Sequence, residues 1–175
     1  MTTLSALESQ VTEAVERLSE SVVSIDSVRV TRDFRYGLVP IEGKGSGLII
    51  DRNGYVITNN HVIDESTRVQ VHLKDGRTFL GEVIGSDAST DIAVIKVDAN
   101  NLPAASLGDS EKLKVGQIAL AIGNTLGLQG GPTVSMGVVS ALGRPLPGTD
   151  QIHSLTRSRR PGGSFASTSF LTSCG

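Results

Sequence analysis

Two side chains thirty positions apart could carry acid–base chemistry between them: His61, in the stretch VITNNHVID, and Asp91, which opens DIAVIKV. An imidazole works as a general base when a partner on Nδ1 fixes its tautomer and Nε2 is left to take a proton from a nucleophile. The apolar run after Asp91 predicts a strand buried on both faces, so the carboxylate falls at the edge of a core, where an orienting acid belongs. Each residue also has a plain structural reading, His61 as a surface residue after a strand and Asp91 as the end of a turn after DAST. From the residues alone both readings stand.

Other chemistries find less support. His61, His72 and His153 show no metal-ligand spacing, and the single cysteine, Cys174, permits neither a CxxC site nor an internal disulfide, so no metal or cofactor is expected. His72 alternates with apolar neighbours in VQVHL and reads as a solvent-face strand residue. GKGSG, Gly43 to Gly47, is rich enough in glycine to suggest a phosphate cradle, but it leads into a strand instead of a helix N-terminus and its lysine is misplaced, so it reads as a loop.

The elements that must hold these residues follow from periodicity. Leu4, Leu7, Val11, Val15, Leu18 and Val22 recur every three or four residues and predict an amphipathic helix over residues 1–21. From Val22 onward, short segments rich in Val and Ile alternate with Gly, Asn, Asp and Pro: SVVSIDSVRV, GLII, YVIT, RVQVHL, TFLGEVIG, DIAVIKV, QIALAIG and TVSMGVVSALG. These predict an all-β domain over residues 22–153, built as a sandwich or barrel. Asn53-Gly54 and Asp75-Gly76 predict tight hairpins, because either pair can supply positive φ values. No helix of crossover length separates the strands, which disfavours a parallel sheet.

Residues 154–175 change character. Nine of these 22 residues are Ser or Thr, three are Arg and none is acidic, a composition that predicts a disordered tail. Over the whole chain of 175 residues the net charge is -2, which argues against a nucleic-acid partner. No apolar run approaches a membrane span and no signal peptide is visible, so the chain as written is expected to be cytoplasmic.

The blocks GKGSGLIIDRNGYVITNNHVID, DGRTFLGEVIGSDASTDIAVIKV, LGDSEKLKVGQIALAIGNTLGL and TVSMGVVSALGR together resemble the protease domain of the HtrA family of chymotrypsin-like serine proteases, from about Ser46 to Arg144. The resemblance implies a trypsin-like double β-barrel, with a complete first barrel and an incomplete second one here. It implies that His61 is the general base and Asp91 its orienter. It also implies a serine endopeptidase acting on unfolded or extended polypeptide, extracytoplasmic relatives, and a homotrimer formed through the N-terminal segment. The family's GNSGG nucleophile motif has no match. Chain order offers Ser164 in PGGSFAS, where Phe165 and Ala166 stand in place of two glycines that would let the backbone aim oxyanion donors. The loop AIGNTLGL carries Thr125 where the family has Pro. A shifted reading frame near Ser154 would explain both the new composition and the missing motif. A chaperone-like peptide-binding module or an assembly subunit is the alternative function that the resemblance allows.

Overall fold

The computed structural model describes residues 3–35, 37–124, 132–142 and 170–173. The apolar stripe forms α1 (Thr3–Ser19), buried along its C-terminal half at Ala14 and Ser19 and exposed at Leu4. Val22 continues the stripe in sequence but begins a strand instead. Beside Val23 it is β-branched, which favours the pleated surface over another helical turn. Lys74 closes on Glu20 at 2.7 Å, tying the end of the helix region to the domain.

Six antiparallel strands close a barrel. They are β1 (Val22–Asp33), β2 (Gly37–Asp51), β3 (Tyr55–Thr58), β4 (Arg68–His72), β5 (Thr78–Asp87) and β6 (Ile92–Val97), in the order β1-β2-β3-β6-β5-β4, with β4 returning to β1. The inward positions are almost all β-branched: Ile25, Ile49, Val56, Val71, Ile95 and Val97 are inaccessible to solvent. Leu102, in the segment that leaves β6, joins this cluster, held by its N–H on the Arg52 carbonyl at 3.1 Å.

Beyond the barrel, β7 (Ile118–Gly123) is the centre of a second sheet, flanked by β8 (Thr133–Val138) and β9 (Phe170–Ser173). β9 lies inside the segment whose composition predicts disorder. Its four residues pair with Ala119–Ile122 of β7, whose edge would otherwise expose unpaired amides. Ser164 and the residues of that tail other than 170–173, Cys174 among them, lie outside the described residues, as do Thr125 and His153.

Both expected hairpins form, in a form that asks less of the sequence. Gly54 and Gly76 take φ values of +99° and +90°, while Asn53 and Asp75 are not among the residues of positive φ. The first loop, residues 52–54, is three residues long, and the second, residues 73–77, is five. The glycine N–H closes a turn on the carbonyl of Asp51 or Leu73, both at 3.1 Å, and the preceding Asp side chain braces the turn. GKGSG departs from its reading as a loop: it lies wholly within β2, with Gly43, Gly45 and Gly47 on one face. Local composition suggested a loop because glycine lowers strand propensity; the tight packing of neighbours against those three positions overrides that tendency.

The two turn glycines separate conformational strain from steric exclusion. A Cβ on Gly54 would stand 2.3 Å from the Val97 carbonyl oxygen, whereas one on Gly76 would meet open space. Gly76→Ala is expected to cost about 1 kcal/mol from φ alone, and Gly54→Ala at least about 2 kcal/mol more because backbone must move. Urea unfolding of the two variants measures the difference.

Candidate active site

β3 and β6 pair antiparallel in the register Thr58↔Ala93. That register places the residues just after β3 beside those just before β6. The chain after Thr58 turns through Asn59 into a single helical turn, α2 (Asn60–Ile63), which carries His61. On the other side the chain emerges from β5 through a turn braced by Asp87, whose carboxylate accepts from the Ser89 amide at 2.9 Å, the Ser89 hydroxyl at 2.7 Å and the Thr90 hydroxyl at 2.8 Å. Asp91 then adopts φ +54°, in the left-handed region that Asp tolerates better than most residues.

That conformation turns both the carbonyl and the carboxylate of Asp91 toward residues 59–61. The carbonyl accepts from the Asn60 amide at 3.1 Å and from Asn59 Nδ2 at 3.0 Å. Oδ1 accepts from the His61 amide at 3.0 Å, and Oδ2 from Asn59 Nδ2 at 3.0 Å. His61 Nδ1 lies 2.7 Å from Oδ2. An ionised carboxylate only accepts, so Nδ1 carries the proton and the neutral ring keeps its lone pair on Nε2. The Asp91 side chain is 33 % exposed and that of His61 58 %, so the carboxylate is the more sheltered partner and the imidazole the more open. Asn59 went unnoticed as a contributor in the sequence. It precedes α2 without capping it and gives its amide to Asp91 instead. Its only sequence signal is its place two residues before the histidine.

The remaining sequence candidates fall elsewhere. His72 places Nδ1 3.0 Å from the Thr78 hydroxyl, and its Nε2 lies 3.2 Å from Asp26 without forming a hydrogen bond. Asp26 in turn faces Lys44 at 3.5 Å, so this group is a polar cross-strand cluster. Among the described residues no group of three or more His, Cys, Asp and Glu side chains could hold a metal ion, and no helix is long and apolar enough to cross a membrane. A cavity of about 870 Å³ opens between the end of α1, β7 and the segment 103–113, but neither His61 nor Asp91 lines it. Near the start of that second sheet, the buried Ser46 hydroxyl accepts from the Asn124 amide at 2.6 Å, linking β2 to the residue just after β7.

The turn before Asp91 supplies a pH signature. Hydrogen bonds from the Ser89 hydroxyl, then the Thr90 hydroxyl, hold the Asp87 carboxyl below its ordinary value of 3.8. A depressed folded value means that the turn's support is complete above the ordinary carboxylate range and is lost as pH falls through the lower, folded value. The Ser89 amide resonance is therefore expected to titrate with a midpoint below 3.8, and Asp87→Asn to abolish that titration.

Residues 45–175 match the family described as trypsin-like peptidase domain. A probable periplasmic serine endoprotease DegP-like from Halomonas elongata is 50% identical over 103 residues, covering 59% of this chain and 21% of the relative. The putative serine protease HhoB from Synechocystis sp. is 41% identical over 150 residues, covering 75% of this chain and 36% of the relative. A solved structure of a variant of the HtrA-type protease AlgW with decapeptide superposes with a TM-score of 0.74 at 34% identity, over 82% of this chain and 48% of that one. The chain thus spans about a third or less of these curated relatives and about half of the solved chain. The periplasmic description of the first relative lends no support to a cytoplasmic location. Matched over most of its length, in sequence and in barrel architecture alike, the chain belongs to the trypsin-like peptidase domain family, among its HtrA-type serine proteases.

Proposed function

We propose that the chain carries the base and orienter of an HtrA-type serine endopeptidase site, His61 and Asp91, on a domain that engages unfolded or extended polypeptide. The observation that carries this reading is the 2.7 Å contact from His61 Nδ1 to Asp91, with the second carboxylate oxygen fixed on the His61 amide. In the reaction such a pair supports, Nε2 takes the proton of a serine hydroxyl as its oxygen attacks the scissile carbonyl. It then returns that proton to the leaving amine, and the acyl-enzyme is hydrolysed by water that Nε2 deprotonates in turn. Asp91 stays ionised and stabilises the imidazolium.

Ser164 is the candidate nucleophile that chain order offers, without the flanking glycines of the family motif. A triad lacking its serine loses on the order of 10⁶ in kcat. We therefore expect this chain by itself to bind polypeptide without cleaving it. The second reading, a chaperone-like peptide-binding module, draws support from β8, which among the described residues is an edge strand of the second sheet with Met136 and Val138 exposed and could add an extended segment by strand pairing. The HtrA-type protease AlgW has itself been solved with a decapeptide and with a tripeptide.

A fluorophosphonate probe followed by intact-mass analysis tests activity, and fluorescence anisotropy with a labelled, unfolded polypeptide tests binding. The expected outcome is binding with no adduct. An adduct on Ser164 that disappears in His61→Ala would instead show a complete site, and in that event Asp91→Asn is expected to slow labelling by about 10⁴ through the wrong histidine tautomer.

A further inference from the structure

Asp91 holds His61 from one side. On the opposite side the helical turn rests on β1 and β2. Ser27, buried in β1, donates its hydroxyl to the Val62 carbonyl at 2.6 Å, one residue beyond His61. Ser27 and Gly43 are direct cross-strand partners, as are Ile25 and Gly45. A Cβ on Gly43 would lie 2.5 Å from the Ser27 hydroxyl oxygen, and one on Gly45 2.6 Å from both γ-carbons of Val62. Gly43 thus leaves the space that the hydroxyl fills, and Gly45 the space for the Val62 side chain, itself buried. Three positions with almost no side-chain volume form a socket under one turn of helix.

We propose that Ser27 is a positioning residue for His61, acting through its hydrogen bond to Val62, with Gly43 and Gly45 as the cleared face that lets the turn reach it. A four-residue helix has too few internal hydrogen bonds to hold its own geometry. Its orientation is set by what it touches, and the socket supplies the contact that Asp91 does not. A bonded carbonyl at residue 62 and a bonded amide at residue 61 fix the backbone on both sides of the histidine, so the imidazole meets Asp91 in one orientation. This inference rests on the His61–Asp91 pairing proposed above and assigns to GKGSG a steric role in building the site.

The test is ¹H–¹⁵N NMR of the full chain, with three variants. In the unmodified chain the ring Nδ1–H of His61 is expected as a low-field resonance that Asp91→Ala removes. Ser27→Ala is expected to broaden that resonance beyond detection and to speed exchange of the His61 amide at least about five-fold, with the Ile95 amide unchanged. Ser27→Ala combined with Gly43→Ala refills the vacated volume without the hydrogen bond, and is expected to recover thermal stability while the ring resonance stays lost. An Asp91-dependent resonance that survives Ser27→Ala, or that returns in the double variant, overturns the positioning role and leaves the pairing intact. Absence of any Asp91-dependent resonance in the unmodified chain overturns the pairing and this inference together.

Discussion

Pairing of β3 with β6 is the constraint from which the site follows. Those strands bring together residues about thirty apart, and the intervening β4 and β5 form an excursion that returns to close the barrel. Because the register is fixed by burial of Val56 and Ile95, a slip of one residue would turn the inward side chain of the strand that slipped out of the core. The same slip would move Asp91 away from Asn59, Asn60 and His61. Core packing and site geometry are thus enforced by one set of contacts.

Asp91 converts that register into a hydrogen-bonded pairing with His61. Its carboxylate and carbonyl together accept five hydrogen bonds from three consecutive residues. Backbone and amide donors occupy most of its acceptor capacity and leave Oδ2 aimed at Nδ1. The left-handed backbone at Asp91 is a local cost of about 1 kcal/mol or more, tolerated because those hydrogen bonds over-determine it. Strain at a non-glycine residue here has an identifiable purpose: it presents the carbonyl and the side chain to the same neighbours.

The barrel also shows how absence of side chains can be structural information. Gly43, Gly45 and Gly47 line one face of β2, and each is backed by atoms closer than any Cβ would permit: the Ser27 hydroxyl, Val62, and the Ile25–Val56 pair. Glycine weakens a strand through backbone entropy, yet here β1 pairs with β2 along its whole length and supports it. The cleared face admits α2 at one end and the core at the other.

Much of this was legible in the chain. Alternation of β-branched residues marked most strand segments, because a half-buried pleat imposes a two-residue period locally, and YVIT coincides with β3. Gly54 and Gly76 marked two turns, because positive φ excludes most side chains. His61 and Asp91 were identified through their resemblance to a family, since nothing in their spacing encodes contact. Three features were decided only by tertiary structure: the length of β2 through GKGSG, the recruitment of Asn59 and Ser27 to the histidine turn, and the strand at residues 170–173. Each depends on a partner distant in sequence, whether a cross-strand neighbour, a carboxylate thirty residues on, or the edge of β7. Local propensity measures what a segment can adopt; which partner fills its gaps and satisfies its hydrogen bonds is settled when the barrel closes.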